Sequence, residues 1–72
     1  MMRQKIRLDT MSDVQKFVDI VSTVGAEVTL EDGDGHRVSA SSMLGCLYSM
    51  EWTHIYCYCN KDISAIILPW IV

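Results

Sequence analysis

Two adjacent hydroxyl groups, those of Ser41 and Ser42, precede an apolar segment and are the first candidates for chemistry in this sequence. A side-chain oxygen in that place accepts from the free N–H groups of a first helical turn, so one serine is predicted to be an N-cap. Phosphate is stabilised at such a helix end, which makes Ser42 a candidate phosphorylation site. Met43, Leu44 and Leu47 are predicted to form a docking surface. The alternative is a small amphipathic helix whose methionines belong to the core.

Imidazole and thiolate groups occur together at His54, Cys57 and Cys59, and these groups suit zinc. Side chains alternate along a strand, so His54 points away from both thiols and no metal site is predicted. Cys46 has no histidine near it in the helix to activate it, and it is expected to be a small buried residue. Three cysteines form an odd set, and a disulfide framework is not indicated.

An acidic, glycine-rich segment at 31–36 resembles a calcium loop at first sight. In a calcium-binding frame that begins at Asp32, however, Arg37 occupies the position that requires glycine, and Met43 occupies that of the bidentate acid. The segment is therefore predicted to be the turn of a hairpin, and we expect no cofactor.

A chain of 72 residues forms one domain, 1–72, and buries only ~60% of its unfolded surface. A large enclosed active site is not expected, and we do not predict an enzyme. The net charge of −3 and the scattered basic residues argue against nucleic-acid binding. The N-terminus has no signal-peptide pattern, and the apolar stretch 65–72 is shorter than the ~20 residues of a membrane span. We expect a cytoplasmic protein.

The elements that position these groups follow from hydrophobic periodicity. Alternation predicts strands at 5–9, 26–30, 37–40 and 53–59. In the first strand, Ile6 and Leu8 face inward. In the last strand, Ile55, Cys57 and Cys59 share one face. The other face carries His54, Tyr56 and Tyr58.

Helical periodicity predicts a long first helix. Its capping box is expected at Ser12 and Gln15, with Gly25 after its C-cap. The predicted inward stripe has five members: Val14, Phe17, Val18, Val21 and Val24. A second helix follows Ser42, and a last helix is predicted at 63–68, before Pro69. The apolar tail 66–72 either is wrapped by the domain, or contacts a partner, or belongs to a longer chain. This order predicts an α+β antiparallel sheet with three helices on one face.

The segment 42–45, Ser-Met-Leu-Gly, is similar to the Lys-Ser-Ile-Met-Gly motif that opens the second helix of a known family, with Ser41 in place of the lysine. The pair at 17–18, the hairpin and Asp62 fall in corresponding places. Over nearly its whole length the chain resembles the histidine-containing phosphocarrier protein (HPr) family of the bacterial sugar phosphotransferase system. The resemblance implies an open-faced β-sandwich in which the fourth strand lies beside the first. It also implies enzyme I, sugar-transport components and an HPr kinase or a regulator as partners.

The chain departs from this family where the family carries its phosphoryl-accepting histidine. The corresponding segment, 9–13, has Thr10 in that position and contains no histidine, arginine or proline. A reversible phosphoramidate needs an imidazole, and two aspartates beside Thr10 would repel a phosphate. We therefore expect a regulatory, protein-binding domain that does not transfer phosphoryl groups. The resemblance further implies that Ser42 is the site of a regulatory kinase.

Two alternatives stay open. In the first, His54 accepts the phosphoryl group in place of the missing histidine, because it is placed nearer to Asp9 and Thr10 than His36 is. No arginine is expected beside His54 to neutralise the phosphoryl charge. In the other alternative the domain is a structural or oligomerisation module whose interface is the tail 66–72.

Overall fold

The computed structural model describes every residue, Met1–Val72. The elements are β1 (Met2–Ile6), α1 (Met11–Val21), β2 (Val28–Glu31), β3 (Arg37–Ser39), α2 (Met43–Ser49), β4 (Ile55–Cys59) and a 3-10 helix (Leu68–Trp70). All strand pairs are antiparallel, and the sheet order is β1-β4-β2-β3. The predicted α+β class with a four-stranded antiparallel open sheet is confirmed, and so is the position of the fourth strand beside the first.

The first strand lies earlier in the chain than alternation predicted. It spans Met2–Ile6 because its register against β4 pairs Met2 with Cys59 and Ile6 with Ile55. Leu8 follows the strand and is buried with Ile6, so the predicted inward pair is confirmed. On β4 the buried residues are those predicted: Ile55, Cys57 and Cys59.

Helix α1 buries four members of the predicted apolar stripe, whereas the fifth, Val24, lies beyond the helix and is partly buried. The helix also begins and ends at residues other than those predicted. Its N-cap is Thr10, whose hydroxyl accepts from the N–H of Asp13 at 3.0 Å. The Asp13 carboxylate accepts from the N–H groups of Asp9 and Thr10 in return, which makes a complete capping box. The box predicted at Ser12 and Gln15 was wrong, because Asp13 satisfies two free N–H groups and starts the helix two residues earlier.

The C-terminus of α1 also differs from the prediction. The helix ends at Val21 with Ser22 as C-cap, and the hydroxyls of Ser22 and Thr23 donate to carbonyls of the last turn. Gly25 has a φ of +76° but lies in the loop beyond the cap. Side-chain hydrogen bonds therefore end the helix before the glycine is reached.

The predicted third α-helix at 63–68 is not confirmed, and the fold has two α-helices. Asp62 accepts from both the N–H and the hydroxyl of Ser64, and the Ile63 carbonyl accepts from Ile66 and Ile67. This single turn buries Ile63 and Ile67 in the core. Pro69 has no N–H to continue the helix, and the chain passes into a 3-10 turn instead.

The apolar tail is packed on its own domain only in part, because Ile67 is buried whereas Ile66, Leu68 and Val72 are exposed. The N–H of Arg7 donates to the Trp70 carbonyl at 2.9 Å, and the N–H of Val72 donates to the Lys5 carbonyl at 3.2 Å. Ile71 forms a bridge with Ile6, so the tail covers the outer edge of β1 at the C-terminal end of that strand. The Trp70 ring meets Phe17 edge to face, with ring centroids 5.3 Å apart.

Replacing Trp70 by alanine is expected to lower the free energy of unfolding by about 2 kcal/mol, because the edge-to-face contact and the half-buried indole area are lost. In thermal unfolding this corresponds to a Tm lower by roughly 8–16 °C. Leu68→Ala is the matched control, because Leu68 is 65% exposed and its loss should be nearly neutral. Equal Tm values for the two variants would show that the tail is not docked in solution.

Neither helix has the length and apolar character that crossing a membrane would require.

Candidate functional site

A groove of about 550 Å³ lies between the outer flank of α2 and the edge strand β3. Its lining consists of Val38, Ser42, Leu44, Gly45, Leu47, Tyr48 and Glu51. Leu44 is 78% exposed and Tyr48 is 56% exposed. An exposed leucine and tyrosine one helical turn apart make a continuous apolar strip on a small domain.

The close packing of α2 on β3 depends on Gly45. A Cβ atom on Gly45 would lie 3.2 Å from the carbonyl oxygen of Ser39 and 3.2 Å from the Cβ of Val38. These separations are tighter than ordinary van der Waals contact, so the helix approaches the strand this closely because Gly45 has no side chain. The approach makes Val38 the wall of the groove.

The three residues predicted to dock partners have different environments. Leu44 is the most exposed of them, and Leu47 lines the groove while also packing on the core. Met43 is half-buried against the core and does not line the groove. Tyr48 and Val38, which sequence reasoning missed as docking residues, complete the apolar lining. The i, i+4 spacing of Leu44 and Tyr48 was the available signal, whereas Val38 lies on another element.

Ser42 is the N-cap of α2, and its Oγ accepts from the N–H of Gly45 at 3.1 Å. The neighbouring hydroxyl of Ser41 is hydrogen-bonded to that of Ser39 instead. Ser42 is half-buried at the rim of the groove, so a phosphate on it would place negative charge beside the apolar strip. Phosphorylation of Ser42 stays a prediction.

The hydroxyl of Thr10 caps α1. The carboxylate of Asp13 accepts from the N–H of Thr10 at 3.2 Å. The Arg7 guanidinium donates to the carboxylate of the neighbouring Asp9 at 3.0 Å. A phosphoryl group on Thr10 would therefore meet two carboxylates.

His54 lines a cleft of about 420 Å³ between the end of β1 and the start of β4. Lys5, Arg7 and Asp9 line the same cleft, and Thr10 does not. The pairing of Ile6 with Ile55 brings Arg7 to the same end of the sheet as His54, and the Arg7 guanidinium donates to Asp9 there. Lys5 has no acidic partner within salt-bridge distance.

The other histidine belongs to the hairpin. The ring nitrogen Nδ1 of His36 lies 2.6 Å from Oδ2 of Asp32. Burial opposes ionisation of Asp32, but hydrogen bonds from the Asp34 N–H and from the ring and N–H of His36 outweigh it and lower the pKa of Asp32. Both oxygens of this carboxylate are thus used to hold its own turn.

The groove beside α2, the capped turn at Thr10 and the cleft at His54 are the surface features on which a function can be based. No protein-family model, curated protein or solved structure matches this chain. The choice among these features therefore depends on their geometry. The groove gathers exposed apolar side chains, whereas the cleft gathers cations around an imidazole.

Proposed function

We propose that this chain is an HPr-like domain of the sugar phosphotransferase system that works by binding proteins through the groove beside α2. It acts as a regulatory module in the cytoplasm and is not an enzyme. The observation that carries the proposal is the apolar strip of Leu44 and Tyr48, exposed at 78% and 56% beside Val38 and Leu47. Full burial of one such side chain contributes ~1.5–3 kcal/mol, so two are sufficient for a hot spot.

The absence of phosphoryl transfer at Thr10 has its own support. The hydroxyl caps α1, and the adjoining carboxylates of Asp9 and Asp13 repel an incoming phosphate. Enzyme I and sugar-transport components are the proposed partners, because they are the partners that the resemblance implies. Phosphorylation of Ser42 by an HPr kinase would regulate the contact, because the phosphate would charge the rim of the groove.

Leu44→Glu is expected to weaken binding of purified enzyme I at least tenfold, because the carboxylate cannot be desolvated in an apolar contact. An acidic residue in the first turn of α2 favours the helix, so the variant should fold normally. Binding is measured by titrating enzyme I into ¹⁵N-labelled protein and following the amide shifts of α2.

Leu68→Glu is the matched control, because Leu68 is 65% exposed but lies on the tail, away from the groove. The control should bind as the wild type does. Equal weakening by the two substitutions, or no shift of α2 amides with the wild type, would contradict the proposal.

A second candidate function is favoured by one observation, the convergence of Lys5 and Arg7 on the cleft of His54. In this candidate the bond from phosphorus to enzyme I breaks as a P–N bond to the His54 imidazole forms. Lys5, which has no acidic partner, neutralises part of the phosphoryl charge, while Arg7 stays paired with Asp9. Enzyme I with phosphoenolpyruvate should then give an acid-labile phosphate that His54→Gln abolishes and His36→Gln retains. An unlabelled wild-type chain would eliminate this candidate.

A further inference from the structure

The cleft of about 420 Å³ beside His54 contains hydrogen-bond donors that no acceptor of the chain uses. Lys5 has no acidic partner within salt-bridge distance. The Lys5 ammonium, the His54 ring and the Thr53 hydroxyl also take part in no side-chain hydrogen bond. The one acidic side chain of the lining, that of Asp9, accepts from Arg7. The cleft therefore offers free donors and no free carboxylate side chain.

The register of β1 with β4 brings these donors together. Lys5 is opposite Tyr56, and Ile6 is opposite Ile55. Side chains two residues apart share a face of a strand, so His54 lies on the same face as Tyr56 and diagonally from Lys5. The rings of His54 and Tyr56 are 6.3 Å apart between centroids, which agrees with this placement. An ammonium and an imidazole thus converge at one end of the sheet.

The rest of the lining is mostly apolar. Met50 and Trp52 line the cleft, and both are half-buried against the core. Three buried side chains complete this wall: Ile6, Leu8 and Ile55. An indole and a thioether are good packing partners for an aromatic ring. A ligand that fits the cleft therefore has an apolar part as well as an acceptor group.

We infer that this cleft binds a small-molecule carboxylate with an aromatic body. The carboxylate accepts hydrogen bonds from Lys5 and His54, and the ring packs against Trp52 and Met50. The cleft volume lies within the ~300–1,000 Å³ of small-molecule sites. This inference goes beyond the proposed function, because it uses another surface and forms no covalent bond with the protein.

The donor set favours a carboxylate over a phosphate. Phosphate recognition relies on the paired N–H groups of a guanidinium, and Asp9 already accepts from the guanidinium of Arg7. The remaining donors are one ammonium and one ring N–H, which match the two oxygens of a carboxylate.

The test is a titration of the ¹⁵N-labelled full chain with phenylacetate at constant ionic strength. The amides of residues 5–9 and 52–55 should shift and saturate with a Kd on the order of 1 mM, as expected for so small a ligand. 2-Phenylethylamine is the matched probe, because it has the same ring but carries a cation. It should not bind. Acetate, which has no ring, should bind at least tenfold more weakly than phenylacetate.

Two variants and two controls identify the donors. Lys5→Gln and His54→Gln should each weaken binding of phenylacetate about fivefold, because each removes one partner of the carboxylate. Lys61→Gln and His36→Gln change the same residue types outside the cleft, and they should bind as the wild type does. Lys5, His54, Lys61 and His36 are all exposed, so the four variants should fold normally.

Three results would overturn this site. A wild type whose amides do not shift at about 10 mM phenylacetate would exclude it. Equal shifts with 2-phenylethylamine would show that the cleft does not select an anion. Inorganic phosphate that binds more tightly than phenylacetate would exclude the carboxylate class. None of these results changes the expected binding of enzyme I at the groove beside α2, so the proposed function is tested separately.

Discussion

At pH 8, Cys57 of the folded protein is expected to react with iodoacetamide on the order of 1,000-fold more slowly than in the unfolded chain. Burial is the main cause, and it raises the pKa of Cys57 to about 12, with smaller contributions from the nearby Cys59 and Cys46. Burial also raises the pKa of Cys46 to about 11, so its thiolate should be on the order of 100-fold rarer than in the unfolded chain. The thiolate is the reactive form, and neither residue should behave as a nucleophile.

The measurement is alkylation for timed intervals, in buffer and in urea, followed by mass spectrometry of the cysteine-bearing peptides. Urea-unfolded protein is the control, because the same sequence is then fully exposed. Labelling of Cys57 at equal rates in both conditions would show that the strand is open in solution. The thiols of β4 would then again be candidates for a nucleophilic role.

The raised pKa values also set a dependence of stability on pH. Above pH 9 the unfolded chain releases these thiol protons, while the folded chain holds them until about pH 11 for Cys46 and about pH 12 for Cys57. The unfolded state therefore binds fewer protons in this range, and the free energy of unfolding falls as the pH rises. Below pH 9 the contribution of these two thiols to stability is fully present.

The strands and the core face of α1 were predictable because hydrophobic periodicity is a local property. Ile55, Cys57 and Cys59 alternate with polar or aromatic residues, and the stripe from Val14 to Val21 has helical spacing. The sheet and α1 pack together through these apolar faces. The α+β class therefore follows from the sequence.

The cap of α1 was not predictable from residue types alone. Thr10 with Asp13 and Ser12 with Gln15 have the same spacing, two residues apart. The structure selects Thr10 because the Asp13 carboxylate accepts two backbone N–H groups there. Which spacing is used depends on how the chain enters from β1, and that is a tertiary property.

Tyr48 had a local signal, but the other missed features of the candidate sites depend on contacts between different elements. Arg7 lines the cleft of His54 because of the register of β1 with β4. Val38 lines the groove because Gly45, which has no side chain, lets α2 approach β3 closely. Because Ile71 pairs with Ile6, the end of the apolar tail lies along the edge of the sheet. Periodicity carries no information about such partners.

These contacts explain why the two edges of the sheet differ. The tail covers the C-terminal end of β1 and contacts Phe17, whereas no strand pairs with the outer edge of β3. The side chains of Leu44 and Tyr48 on α2 remain exposed.

Phe17→Ala is expected to remove a large part of the stability of the fold. Phe17 is fully buried, contacts the Trp70 ring edge to face, and is the one phenylalanine of the chain. Truncating a buried phenylalanine costs ~3–5 kcal/mol. A chain of 72 residues has about 4–11 kcal/mol in total, at roughly 0.05–0.15 kcal/mol per residue. The variant should therefore unfold at a clearly lower urea concentration than the wild type.

Urea denaturation followed by circular dichroism and tryptophan fluorescence measures this loss, and Met11→Ala on the same helix is the control. Met11 is 60% exposed, so its truncation should change the free energy of unfolding by about 0.5 kcal/mol or less. Unfolding also exposes Cys57, so alkylation of that thiol should accelerate in Phe17→Ala and not in Met11→Ala. A Phe17→Ala variant that loses less than about 1 kcal/mol and keeps Cys57 protected would show that α1 and the tail are not held together by this contact. Another contact would then have to hold the tail on the edge of β1.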